Sequence, residues 1–192
     1  MPLSIVIGVP GVGKSTVMEE LKKISDGKVK VIVFGDYMFD IAKKEGLVKH
    51  RDEMRTLPVE VQRRLQEEAS KMIYEESSKF NGMVLLDTHG FIKTPNGFLP
   101  GLPEHILRIL RPDFTILIEA DPSLIAARRS RDETRIRDPD MEEMISLHQM
   151  MNRMAAATYS TITGCNIIIV KNEEGKAHEA AKKLAESLGV GG

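Results

Sequence analysis

At 192 residues the chain has the length of one ordinary domain, and a formal charge of −1, from 27 basic and 28 acidic side chains, excludes a surface built throughout for nucleic acid. Its one cysteine, Cys165, excludes an internal disulfide and a cysteine-ligated metal cluster. No apolar run reaches the length of a membrane span, so the expectation is a cytoplasmic protein with no membrane partner.

The first predicted element is an apolar strand over 3–7, which runs into Gly8-Val9-Pro10-Gly11-Val12-Gly13-Lys14-Ser15, a fit to Gly-x-x-x-x-Gly-Lys-Ser/Thr. A helix over 14–24 follows, so the motif has the strand-to-helix setting that phosphate binding needs. Glycines let backbone N–H groups curl around phosphates, and the helix N-terminus adds its positive end. Gly8, Val9, Pro10, Gly11, Val12, Gly13, Lys14, Ser15 and Thr16 are therefore the expected ATP-binding residues. Lys14 is expected to reach the β- and γ-phosphates and the Ser15 hydroxyl to ligate Mg²⁺.

A strand over 29–34 leads to Gly35-Asp36-Tyr37-Met38 and a helix over 37–45. The chain then detours through His50-Arg51-Asp52-Glu53-Met54-Arg55 and a helix over 58–79 before a third strand over 83–86. This detour is longer than a crossover requires, and it leaves room for a small helical region, 35–80, that binds a second substrate. Arg55, or else Arg51, would meet that substrate's phosphate. Asp87 closes the third strand as a Walker-B-type acid and is expected to hold Mg²⁺, through water. In Asp87-Thr88-His89-Gly90, His89 reads equally as a contact to phosphate or base and as a hydrogen-bonded structural residue.

Helices over 103–110 and 122–129 flank a fourth strand over 115–119. Beyond them Arg128, Arg129, Arg131, Arg135 and Arg137 crowd together, while no lysine occurs between Lys93 and Lys171. The guanidinium fork matches phosphate oxygens bidentately, so a phosphate clamp within a short lid, 128–139, is expected; surface ion pairs are the plain alternative. A helix over 139–162 carries Met141, Met144, Ile145, Leu147, Met151 and Met154 at helical spacing, mostly core with part available between subunits. Arg153 on it points either to the phosphates or into an ion pair. A strand over 166–170 and a helix over 176–188 finish the chain, and residues 189–192 are expected to fray. Strands separated by helices imply right-handed crossovers and an α/β fold, a five-stranded parallel sheet with helices on both faces, in one domain over 1–192.

These parts together resemble the adenylate kinase family, and most closely its archaeal type. The resemblance rests on residues 8–16, Gly35-Asp36-x-Met38, Asp87-Thr88-His89, Lys93-Thr94-Pro95 with Gly101-Leu102-Pro103, Arg128-Arg129 with Asp132-Glu133-Thr134-Arg135-x-Arg137-Asp138, His148-Gln149 with Asn152-Arg153, and Thr163-Gly164. It spans nearly the whole chain. It implies the three-layer P-loop NTPase fold and reversible transfer of the γ-phosphoryl group of MgATP to AMP, giving two ADP. The implied catalytic residues are Lys14, Arg128, Arg135 and Arg137, with Gly35, Asp36, Arg55 and His89 binding AMP. Mg²⁺ is the implied cofactor, at Ser15 and Asp87. The short lid without cysteines implies no zinc, and the family implies a homotrimer with ATP, AMP and ADP as partners and no nucleic acid.

Two departures from the common bacterial pattern stand out. Phe39 occupies the place where the bacterial form has an AMP-binding arginine, which passes that role to Arg55, and Asp87-Thr88-His89-Gly90-Phe91 replaces the bacterial Asp-Gly-Phe-Pro-Arg. Other readings of the same residues are a kinase for another nucleoside monophosphate such as CMP, and an ATPase-type assembly or RNA-associated factor on this fold.

Overall fold

The computed structural model describes residues 3–94, 97–131 and 142–191. In chain order, β1 (Leu3–Ile7), α1 (Lys14–Ile24), β2 (Val29–Val33) and α2 (Phe34–Lys44) lead to a 3₁₀ helix (Arg51–Thr56), α3 (Val59–Lys79) and β3 (Met83–Asp87). Two short strands follow, β4 (Phe91–Thr94) and β5 (Gly97–Pro100), then α4 (Glu104–Leu110), β6 (Phe114–Glu119), α5 (Pro122–Arg131), α6 (Glu142–Thr163), β7 (Asn166–Lys171) and α7 (Ala177–Leu188).

Five strands form one parallel sheet in the order β2-β3-β1-β6-β7. The central strand shows why the sheet is covered on both sides. Leu3, Ile5 and Ile7 of β1 pack with Ile41 and Ala42 of α2, Leu65 and Ile73 of α3, Leu107 of α4 and Tyr159 of α6. Val6, on the opposite face, packs with Val17 and Leu21 of α1, Ile125 of α5 and Leu184 of α7. All five residues of β1 are buried, so the strand reads as a continuous apolar run rather than an alternating one.

The expected strands, helices and their order are present, with differences that have local causes. β2 stops at Val33 because Phe34 turns into the core as the first residue of α2, which puts Gly35 and Asp36 inside the first helical turn. An acid there faces the positive helix end. Pro58 and Pro103 stand one residue ahead of their helices as caps, not inside them. The antiparallel pair β4–β5 was not expected from the sequence; each strand has four residues, too few for a legible alternation. The tail is also tighter than expected. Gly189, left-handed at φ 66°, ends α7, and the Val190 N–H returns to the Ala185 carbonyl at 3.0 Å while its side chain is buried. This is the glycine-capped, hydrophobically closed helix end, and it replaces fraying through residue 190.

Tyr159 of α6 ties off the β4–β5 excursion. Its hydroxyl accepts from the Leu102 N–H and donates to the Gly90 carbonyl, both at 3.3 Å, while Gly101 N–H reaches Gly90 O at 2.8 Å. Burial pushes the phenol up to about 12, so it remains an O–H donor at neutral pH. Among the described residues no helix is long and apolar enough to cross a membrane.

Tyr159→Phe leaves a buried backbone N–H short of its acceptor and is expected to lower the unfolding free energy by about 1–3 kcal/mol. Denaturant titration at unchanged slope would check it.

Candidate active site

In a parallel sheet with helices on both sides, ligands gather where the strands end and the crossovers begin. β1 emits the phosphate loop at this rim. Gly11 and Gly13 are left-handed, at φ 84° and 88°, a conformation that β-carbon sterics deny to most residues. Space forbids a side chain as well. A Cβ on Gly13 would stand 2.3 Å from Asn172 Nδ2, and one on Gly8 would stand 2.7 Å from the Ile118 carbonyl. Val9 and Val12 sink into the core below the loop, and α1 begins at Lys14 with Ser15 and Thr16 exposed in its first turn.

Lys14 and Asp87 meet. The ammonium lies 2.6 Å from Asp87 Oδ1 and 2.9 Å from the Thr88 carbonyl, with both side chains largely shielded from water. Register explains the encounter, since Asp87 at the end of β3 stands opposite Val6 of β1, two residues before the loop. The two residues expected to hold Mg²⁺, Ser15 and Asp87, carry hard oxygen donors, a hydroxyl and a carboxylate of the kind this cation prefers. Among the described residues no group of three or more His, Cys, Asp or Glu side chains could hold a metal by itself.

Gly35 and Asp36, expected to meet the second substrate, follow β2 on the side of β3 away from β1. Arg51 of the 3₁₀ helix pairs with Asp36, and its Nη2 stands 2.5 Å from where a Gly35 Cβ would be, so the guanidinium lies on the glycine at the start of α2. Arg55 belongs to the same 3₁₀ helix, and its side chain lies outside the described residues. His89 reaches solvent on one side while protein atoms crowd the other. That desolvation, followed by the Lys14 ammonium, pushes its imidazole down to about 4, against the opposing pull of Asp87; the Arg51 charge acts on it as well. The ring is therefore neutral near pH 7 and offers one donor and one acceptor.

The arginine-rich segment divides. Arg128 donates to the Val12 carbonyl at 3.0 Å and to the Glu174 carboxylate at 3.0 Å, and Arg129 Nε donates to the Pro10 carbonyl at 2.9 Å. These two arginines thus bond the outside of the phosphate loop. Arg135 and Arg137, with the rest of the 132–141 segment, lie outside the described residues. A cleft beside the loop is lined by Thr16, Arg128, Asn172, Glu173, Gly175 and His178.

α6 presents a row of polar side chains to the same rim. His148 Nε2 donates to the Phe91 carbonyl at 2.9 Å, and Asn152 Oδ1 accepts from the Phe91 N–H at 3.1 Å. Gln149 pairs with both the N–H and the carbonyl of Ala120, at 3.2 and 3.0 Å. Arg153 forks onto Glu119 at 2.6 and 2.7 Å, so of its two expected directions the ion pair is the one formed. Sequence reasoning missed Glu119 and the bond from the Asn172 side chain to Val12, although the resemblance places Lys171-Asn172 beside the adenine of ATP. Glu119 ends a strand as Asp87 does, which was the available signal; the Asn172 bond offered none.

A family model described as an AAA domain matches residues 7–146. The chain is 48% identical over 189 residues to the adenylate kinase of Methanocaldococcus jannaschii, covering 96% of each chain. It is 50% identical over 190 residues to that of Pyrococcus horikoshii, covering 98% of this chain and 96% of the relative. Among solved structures, a shikimate kinase from Bacteroides thetaiotaomicron aligns with a TM-score of 0.59 at 14% identity, over 98% of each chain. The Deinococcus radiodurans tunicamycin resistance protein gives 0.60 at 13%, over 98% of this chain and 95% of that one. The structural likenesses establish the P-loop kinase fold.

The unfolded chain takes up the His89 proton near the ordinary 6.5 and the folded chain only near 4, so stability falls as pH drops through that window and is unaffected above it. NMR titration should find the His89 ring titrating well below 6.5, and His89→Asn should make stability less steeply dependent on pH there. A ring titrating at or above its ordinary value would overturn the desolvated placement.

Proposed function

Given that this chain belongs to the adenylate kinase family, we propose how its residues divide the work of reversible phosphoryl transfer from ATP to AMP, which yields two ADP. The observation that carries this reading is the contact between Lys14 and Asp87 at 2.6 Å, which joins the phosphate loop to the strand-ending acid at one point. Residues 8–16 cradle the ATP phosphates, and Lys14 neutralises charge on the transferring group. Ser15 and Asp87 would hold Mg²⁺, which when bound supplies further charge neutralisation between the phosphates. Arg135 and Arg137 close over the phosphates as a lid within 128–139, with Arg128 at its root on the ATP side.

AMP occupies the region formed from 35–80, with Gly35, Asp36, Arg55 and His89 as its contacts. Arg51 joins them, because its guanidinium already rests on Gly35 and Asp36. The attacking AMP phosphate is largely dianionic near neutral pH, so the chain needs no general base. It must instead suppress repulsion between two polyanions, align them, and keep water out.

Self-association as a homotrimer is part of this reading, in the cytoplasm and with no nucleic-acid partner. Its support is the face of α6 turned away from the core, where Leu147, Met150 and Met154 are 41%, 59% and 56% exposed, with Ile169 of the edge strand β7 at 56%. Apolar groups at helical spacing on an outer face form an interaction surface.

Three outcomes test the proposal. MgATP with AMP should give two ADP per AMP consumed and near silence without an acceptor, whereas preference for CMP or UMP would replace the substrate, and acceptor-independent phosphate release would replace the activity. Arg135→Ala or Arg137→Ala should lower turnover about 100-fold, as removal of a transition-state charge contact does; near-normal turnover in both would overturn the clamp. Met150→Glu with Met154→Glu should turn the trimer into monomers by light scattering.

A further inference from the structure

A phosphate loop works only if its amides point inward, and a trans peptide fixes each N–H opposite the carbonyl of the preceding residue. No peptide bond among the described residues is cis. Holding a carbonyl outward therefore aims the next N–H inward. Two carbonyls of this loop are held from outside. Val12 O accepts from Asn172 Nδ2 at 2.8 Å and from Arg128 Nη1 at 3.0 Å, which uses both of its lone pairs. Pro10 O accepts from Arg129 Nε at 2.9 Å. The N–H groups paired with these carbonyls belong to Gly13 and Gly11, both left-handed and both lacking a side chain to resist rotation of the peptide plane.

The structure assigns to Asn172 and Arg129 the role of positioning residues that set the Val12–Gly13 and Pro10–Gly11 peptide planes, and so aim the Gly13 and Gly11 amides at phosphate. The inference rests on residues 8–16 being the ATP phosphate loop. Asn172 is 3% exposed, yet its Oδ1 has no hydrogen-bond partner among the described residues. A buried amide with an orphaned acceptor is costly, and the one bond it makes goes to Val12 O. What the amide gives in return is the bond that holds the Val12 carbonyl. Arg129 is likewise only 9% exposed, and its Nε–H is given to the loop.

The test uses the full chain with inorganic tripolyphosphate, a probe with no base or sugar, so that binding is read separately from phosphoryl transfer. Asn172→Ala should weaken tripolyphosphate binding by calorimetry about fivefold or more and displace the Gly13 amide resonance while leaving that of Gly11 in place. Arg129→Met should weaken binding similarly and displace Gly11 while leaving Gly13, and Arg129→Lys should restore part of the loss through its remaining donor. If Asn172→Ala does not fold, the two Arg129 variants test the same principle at the other peptide plane. Binding within about twofold of the parent chain, or both variants displacing both amides alike as general loosening would, overturns the inference. A parent chain that binds tripolyphosphate tightly but makes no ADP from AMP would instead overturn the kinase reading and leave this one standing.

Discussion

Hydrogen bonding of β1 along both edges, to β3 and to β6, sets the level at which every polar group of the cleft emerges. Val6 stands opposite Asp87 on one side and Ile116 on the other, and Ile7 stands opposite Leu117. The phosphate loop, Asp87 and Glu119 therefore reach the same rim of the sheet. Because β1 is buried on both faces, a slip of one residue would exchange its two sets of side chains between differently shaped cores. The pairing that makes the core close-packed is thus the pairing that brings Lys14 to Asp87.

A strand that ends at a functional rim leaves backbone groups beyond its last ladder bond, and these need partners. α6 supplies them. His148 and Asn152 hold Phe91, Gln149 holds Ala120, and Arg153 holds the side chain of Glu119, so one stretch of helix fixes the chain just beyond both β3 and β6. Tyr159, further along the same helix, closes the hairpin base at Gly90 and Leu102. The helix packs its inner side on the core with Ile145, Ala155 and Ala156, while Leu147, Met150 and Met154 stand exposed on its outer side among polar neighbours such as Glu143 and Arg153.

Much of this was legible in advance, because the phosphate loop is a local pattern and doubly buried strands read as apolar runs. Asp87 was legible as a strand-ending acid, whereas its direct contact with Lys14 was not expected. What escaped reading has a common cause: the informative partner is remote in sequence and carries no local mark. Nothing around Asn172 announces that it faces Val12, and nothing around Gln149 announces that it completes Ala120. The arginines illustrate a subtler limit. A planar fork of donors suits phosphate oxygens, yet it suits peptide carbonyls equally, and Arg128 and Arg129 use theirs on Val12 and Pro10. Residue type spoke to valence and not to address. The hairpin and the buried Val190 were missed for the opposite reason, since each depends on a few residues whose pattern is too short to stand out.

The bond from Asn172 to Val12 spans 160 positions. Asn172 follows directly on β7, the strand that lies beside β6 at the edge of the sheet, and Arg128, the other donor to Val12 O, stands on α5, so the loop's shape draws on elements from the far side of β6. The motif of residues 8–15 is thus complete as a sequence long before the chain supplies the side chains that hold its carbonyls. The local pattern specifies the glycines, and residues remote from it specify how their peptide planes are held.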